Sequence, residues 1–180
     1  GKPLSYAALD GHDGSEWAEN ALEKQCVERS NHQTSRRAGM SRKHVVIIGG
    51  GGAGVIAAAA LARLPKPPHV TLIGRDGFGP GLAYGDMHKR YLLNVRASNM
   101  SAYADKPDDF ANWLRAKTRA DATAFATRAR YGRYLQDVLG RAERRALFGG
   151  GLKRVRDEAV ACRAGSGWWE ITLASGKTID

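Results

Sequence analysis

An α/β fold organised on a parallel sheet is what this 180-residue sequence predicts, and three observations predict it. His44-Val45-Val46-Ile47-Ile48 is a short β-branched run fit for a fully buried parallel strand, and it ends in Gly49-Gly50-Gly51-Gly52-Ala53-Gly54. Residues 55–64 then read as a helix whose small residues, 57–60, permit close packing on a sheet, and Pro65, Pro67 and Pro68 stop it. A second apolar run, His69-Val70-Thr71-Leu72-Ile73, completes strand, glycine loop, helix and strand within about thirty residues, as a right-handed βαβ crossover requires.

The other elements follow in chain order. Asp76-Gly77-Phe78-Gly79-Pro80-Gly81-Leu82-Ala83-Tyr84-Gly85 is a second glycine-rich stretch, too loop-like for regular structure, and a long loop inside a compact domain is usually functional. Helices are expected over residues 107–117, with Asp105 or Lys106 near the cap and Phe110, Trp113 and Leu114 on one face, and over 130–147, with Tyr131, Tyr134, Leu135, Val138 and Leu139 as the apolar stripe. Residues 154–164, 167–174 and 177 onward read as strands of a β-meander, separated by Gly165-Ser166 and Ser175-Gly176. Residues 1–41 are polar, with apolar periodicity only over 17–27, and read as a flexible leader carrying one marginal helix; Met40 fits a native start, which makes the leader an upstream extension. The folded domain is expected to be residues 42–180.

Composition narrows the function by exclusion. With 43% hydrophobic and 26% charged residues the chain suits a soluble globular domain. Cys26 and Cys162 form no CxxC or metal-ligand spacing, a usage that fits a reducing cytoplasm, and the five histidines are scattered without i, i+4 pairing, so no metal centre is expected. The formal charge of +10 lies in the folded part: residues 1–40 hold five Lys/Arg against six Asp/Glu, whereas 110–150 hold nine against three. No nucleic-acid motif accompanies that excess, so no nucleic-acid partner is expected, and arginine-rich helices are most often solvated faces.

The spacing Gly49-x-Gly51-x-x-Gly54 has a mechanical reason at each glycine. The first makes the tight turn out of the strand, the second lets a pyrophosphate approach the backbone, and the third packs the helix against the strand. A diphosphate then sits where the unpaired N–H groups of Gly52, Ala53 and Gly54 and the helix dipole favour negative charge. The strand, helix and second strand around the glycines make the signal a strong one for a Rossmann-like dinucleotide site. A competing reading takes Ser35-Arg36-Arg37 and the uncharged residues 45–62, ending Ala60-Leu61-Ala62, as a twin-arginine export signal. Four consecutive glycines where a nucleotide loop needs them, and the matching second strand, weigh against export and against a membrane span.

The choice of dinucleotide is less direct. An acidic residue commonly ends the second strand and takes the ribose hydroxyls, but Gly74 follows Ile73 here, with Arg75 and Asp76 next. Asp76 can reach the ribose from two residues on, and Arg75 can stack on adenine or hold a phosphate; an NADP preference through a 2′-phosphate on Arg75 is the competing possibility.

The sequence also resembles the FAD/NAD(P)-binding domain shared by flavin-dependent urate hydroxylases, amino-acid N-monooxygenases and many bacterial oxidoreductases. The resemblance runs over residues 45–180, through Val45-Val46-Ile47-Ile48-Gly49-Gly50-Gly51, Gly79-Pro80-Gly81-Leu82-Ala83-Tyr84, Leu92-Leu93-Asn94-Val95, Met100-Ser101, Phe110-x-x-Trp113-Leu114 and Arg128-x-x-Tyr131-Gly132-x-Tyr134-Leu135. It implies a flavoprotein fold in which residues 49–54 hold the FAD pyrophosphate and residues 79–84 lie along the cofactor. Ala58, four residues after Gly54, fits the longer flavoprotein fingerprint. By the same resemblance residues 92–101 approach the flavin, with Asn94 the contact candidate and Leu92, Leu93 and Val95 read as core. Arg128 and Tyr131 either position a partner or serve as helix cap and core.

The candidate cofactor contacts are therefore Gly49, Gly51, Gly52, Ala53, Gly54, Arg75, Asp76, Gly81, Leu82, Ala83 and Asn94. No activated Ser or Cys arrangement and no redox-active cysteine pair near the first helix is present, so no catalytic side chain is assigned and the disulfide-reductase branch is disfavoured. The resemblance implies a further strand and a separate NAD(P)H domain that have no counterpart before Asp180. The chain accordingly reads as the N-terminal, FAD-binding part of an NAD(P)H-using oxidoreductase or monooxygenase, incomplete at its C-terminus and not expected to turn over alone. The alternative is a non-catalytic FAD- or NAD(P)-binding module.

Overall fold

The computed structural model describes residues 42–85, 90–118 and 124–180. The expected leader helix, Met40, the Ser35-Arg36-Arg37 motif and Cys26 lie outside the described residues. The first strand, β1, is His44–Ile48, and β2 is His69–Ile73, its parallel neighbour in a register that pairs Val45 with Val70 and Ile48 with Ile73. Between them α1 spans Gly52–Leu61. It starts three residues before the expected 55–64 and ends three before it, because Gly51 caps it inside the glycine loop and the turn after Ala62 leads into the prolines. The fold class is α/β, as the sequence predicts.

Two helices follow, α2 at Asp109–Thr118 and α3 at Arg128–Ala146, with a single 3₁₀ turn at Ala97–Asn99 before them. Of the two residues expected near the start of α2, Lys106 accepts from the Asp109 N–H through its carbonyl at 3.0 Å, whereas Asp105 accepts from Nη1 and Nη2 of Arg63. The sequence also places the start of α3 two residues late: Thr127 caps it, its hydroxyl accepting from the Arg130 N–H, so Arg128 opens the helix rather than capping it.

The expected strand over 154–164 is two strands in two sheets. Leu152–Val155 is β3, paired parallel to β2 with Ile73 opposite Val155, whereas Ala159–Ala164 is β4, paired antiparallel to β5, Trp169–Leu173, which pairs with β6, Thr178–Ile179. The two sheets have strand orders β1-β2-β3 and β4-β5-β6. The meander turns are as expected, with Gly167 and Gly176 taking the positive φ that each reversal needs. β1 is only half-buried, against the expectation of full burial: β2 is the central strand, and Ile48 at the end of β1 is exposed.

Alternation along the strands sorts the side chains into two cores. Val70 and Leu72 of β2, with Ile47 of β1, face the helices and join Val55 and Ala58 of α1, Phe110 and Leu114 of α2, and the whole predicted stripe of α3. Ile73, Val46 and Val155 face the other way and pack on Ile171, Leu173 and Ile179 of the meander. The parallel sheet is thus the middle of three layers. His44 joins the parallel sheet to the end of the meander: its Nδ1 lies 2.7 Å from the main-chain oxygen of Asp180, and its Nε2 lies 2.9 Å from the Thr71 hydroxyl of β2.

Beneath α3 an aromatic group of Phe110, Tyr131 and Tyr134 is fully or nearly fully buried, with ring centroids 4.9 to 5.6 Å apart. Tyr131 is therefore core, and burial pushes its hydroxyl up to about 12. Tyr134 carries its polar end into a network: its hydroxyl accepts from the Ala102 N–H at 3.0 Å and donates to Asp109 Oδ2 at 2.7 Å. Arg141 forks onto the same carboxylate at 3.0 and 2.7 Å. Burial alone would raise the Asp109 carboxyl, but the Arg141 fork and the Tyr134 hydroxyl hold it below its ordinary value.

A carboxyl held low in the folded state adds stability above its unfolded pKa and loses it as pH falls through the folded one. Asp109→Asn is expected to cost about 2 kcal/mol at neutral pH, as loss of hydrogen bonds to a charged group does. In urea unfolding the gap between wild type and variant should be constant above about pH 5 and close as the pH falls below the ordinary Asp range. A gap that stays the same down to pH 2 would contradict the assignment.

Candidate functional site

The C-terminal ends of β1 and β2, the first turn of α1 and the loop over residues 75–85 enclose a cleft of about 860 Å³. It is lined by residues 49–53, 75–78, 80–85 and Gln136, and its size falls within the range of small-molecule and cofactor sites. Gly49 turns out of β1 with φ of +119°, while its N–H still donates to the Ile73 carbonyl at 2.8 Å, so the turn begins without breaking the ladder. At Gly54 a Cβ would lie 1.9 Å from the Gly49 carbonyl oxygen; α1 can sit this close to the end of β1 only because that atom is missing.

Val55 is the first residue of α1 to donate within the helix, to the Gly51 carbonyl at 3.0 Å. The N–H groups of Gly52, Ala53 and Gly54 precede it and have no partner inside the helix, at the end where the helix dipole is positive. Gly51 has ordinary extended backbone, and a Cβ there would meet only Gly81 Cα at 3.7 Å. Its side faces the cleft, so a larger side chain would occupy the space in front of the helix terminus.

The second glycine stretch closes the cleft from above. Gly79 N–H donates to the Gly50 carbonyl at 2.8 Å, and Tyr84 packs edge-on against Tyr131 of α3 with ring centroids 4.7 Å apart. The same contact explains the missing carboxylate after β2. A Cβ at Gly74 would lie 2.8 Å from the Gly77 carbonyl oxygen and 2.9 Å from Gly50 Cα, so the two loops cross where an acidic side chain would have to start. Two charged side chains follow it on the cleft wall, Arg75 and Asp76, both exposed and paired with each other at 3.2 Å.

Of the eleven expected contacts, nine line this cleft: Gly49, Gly51, Gly52, Ala53, Arg75, Asp76, Gly81, Leu82 and Ala83. Gly54 lies behind it, against Gly49. Asn94 is exposed and not part of the cleft wall, and the reading of Leu92 as core is corrected, since Leu92 is exposed where it bridges to Thr127; Leu93 is buried as expected. Gln136 was not legible. It lies beside Gly79, just outside the apolar stripe of α3, and its place on the cleft depends on how α3 is rotated.

A family model described as FAD-NAD(P)-binding matches residues 46–180, three-quarters of the chain. The chain belongs to the FAD-NAD(P)-binding family. Residues 46–180 are accordingly an FAD/NAD(P)-binding domain built on the βαβ unit and glycine loop. No curated protein matches the chain. Among solved structures, the lysine monooxygenase NbtG from Nocardia farcinica is similar over 76% of this chain and 41% of its own, at 14% identity and a TM-score of 0.49. Ornithine N-hydroxylase from Kutzneria sp. 744 is similar over 77% and 35%, at 18% identity and a TM-score of 0.46. The flavin-dependent halogenase Xcc4156 from Xanthomonas campestris is similar over 78% and 41%, at 19% identity and a TM-score of 0.40. The chain thus spans less than half the length of each of these proteins. Among the described residues no helix is long and apolar enough to cross a membrane.

The glycine geometry separates two substitutions that look equivalent in the sequence. Gly54→Ala must push α1 off the Gly49 carbonyl and is expected to destabilise by about 2 kcal/mol or more, as overpacking does. Gly51→Ala meets nothing closer than 3.7 Å and is expected to cost about 1 kcal/mol or less, the difference between glycine and alanine at an N-cap. Thermal unfolding of both variants checks the order, and equal melting temperatures would contradict it.

Proposed function

We propose that the cleft holds FAD, with the pyrophosphate against Gly51, Gly52, Ala53 and Gly54, and that the chain is the FAD-binding part of an NAD(P)H-using oxidoreductase of the monooxygenase type. The observation that carries the reading is the first turn of α1: Gly52 and Ala53, whose N–H groups have no helix partners, line a cleft from which Gly51 withholds any side chain. A diphosphate supplies what that terminus lacks, namely acceptors and negative charge. Residues 80–84 along the upper wall, with Gly81, Leu82 and Ala83, support an extended cofactor rather than a lone phosphate.

When bound, a flavin supplies hydride and electron transfer, which no side chain of the cleft provides. The chain's own residues bind and orient. The N–H groups of α1 fix the diphosphate, Asp76 offers carboxylate oxygens toward the ribose, and the Gly79–Gly50 hydrogen bond holds the upper loop over the site. Substrate and electron acceptor belong to the whole protein, which we take to be an enzyme of a reducing cytoplasm, a reading supported by two cysteines with no paired spacing in the sequence.

Fluorescence titration with FAD tests the reading. Wild type should bind, and Gly51→Val should bind at least about tenfold more weakly while its circular dichroism is unchanged, since the branched side chain stands where the phosphates approach. Undiminished affinity in that variant would refute the role given to the loop.

A further inference from the structure

Arg75 is held from two sides. Its Nε lies 3.2 Å from Asp76 Oδ2, and its Nη1 donates to Glu158 Oε1 at 3.0 Å. Glu158 is 83 residues further along the chain, yet the sheet brings it here. β3 lies parallel to β2, so the two strands end side by side, and Gly74 N–H donates to the Val155 carbonyl at 3.0 Å. Glu158 follows in the break between β3 and β4. Its own N–H donates to Asp157 Oδ1, and its carbonyl accepts from the Ala174 N–H of the meander, both at 2.8 Å. The backbone that carries the carboxylate is therefore anchored on both sides.

The consequence is electrostatic. An arginine just beyond β2 is the group that accommodates a 2′-phosphate on adenosine, and it can do so only if its guanidinium is available. Here one cation faces two carboxylates beside the cleft wall to which Arg75 and Asp76 belong. A 2′-phosphate would have to displace Glu158 or approach both carboxylates. A ribose hydroxyl meets no such penalty, and Asp76 keeps acceptor capacity for it beyond its contact with Arg75.

Resting on the reading of the cleft as a dinucleotide site, we propose that Arg75, Asp76 and Glu158 form a selectivity element that admits adenosine with a free 2′-hydroxyl and rejects a 2′-phosphate, with Glu158 the deciding residue. Asp76 holds Nε and Nη2 of the arginine that would otherwise select NADP, and Glu158 takes the Nη1 that remains. All three side chains are exposed, so the discrimination is moderate, and removing one negative charge close to a doubly charged phosphate shifts it by about tenfold.

Calorimetric titration of the full chain with ADP and with adenosine 2′-phosphate 5′-diphosphate, at low ionic strength, tests it. Wild type should bind ADP about tenfold more tightly than the 2′-phosphorylated probe. Glu158→Gln, which keeps the shape and removes the charge, should raise affinity for the 2′-phosphorylated probe about tenfold and leave ADP within about twofold. Adding Arg75→Ala to Glu158→Gln should remove the gain. If ADP binds wild type and the ratio of the two affinities is unmoved by Glu158→Gln, the selectivity role is overturned while the cleft remains a nucleotide site. If neither probe binds wild type, the nucleotide reading of the cleft falls and the proposal falls with it.

Discussion

The approach of α1 to the end of β1 sets the position of everything else in the site. Gly54 stands against the Gly49 carbonyl with no room for a methyl group, so the helix starts directly at the strand end and its first residues, Gly52 and Ala53, line the cleft. The loop crossing at Gly50, Gly74 and Gly77 is a second contact of the same kind, backbone against backbone. Where side chains are excluded twice over, main chain forms the part of the cleft wall at the start of α1, while Phe78, Leu82 and Tyr84 line other parts of it. The main-chain part suits a diphosphate better than any apolar group.

Rigidity behind this surface comes from the helical core. α1 packs on α3, and α3 is fixed by its buried tyrosines and by the Asp109 carboxylate that joins Tyr134 and Arg141. The basic excess of this region is partly consumed there. Arg141 serves Asp109, Arg145 donates from its Nε to the Ala62 carbonyl at the end of α1, and Arg154 of β3 pairs with Glu143 at 2.7 Å. Charges that look like a solvated or nucleic-acid-binding face in the sequence thus hold elements of the fold together. Fixing α3 in turn fixes Tyr84 and Gln136, and with them the upper wall of the cleft.

Local patterns carried the part of the fold that was legible. The βαβ unit, the two later helices and the meander turns each announce themselves within one stretch of chain, by β-branched runs, by 3.6-residue periodicity or by a glycine at a reversal. The sequence pattern joins Arg154 and Val155 to the strand after them and leaves out Leu152 and Lys153, because the partner of β3 is β2, some eighty residues earlier, and nothing in Leu152-Lys153-Arg154-Val155 states that pairing. The cleft shows the same division. Its glycines and the 80–84 loop were legible because backbone approach demands particular residues, whereas Gln136 reaches the cleft only through the placement of α3, and Glu158 reaches Arg75 on its wall only through the placement of β3. Asn94 was carried in by resemblance alone, and the structure leaves it exposed and away from the cleft wall.

The nature of the nucleotide is the central claim, and identifying what the purified protein carries is its most direct test. Absorbance of the native protein, followed by chromatography of whatever denaturation releases, decides it. The account predicts flavin bands in the folded protein and FAD in the supernatant. Release of NADP with no flavin would contradict it.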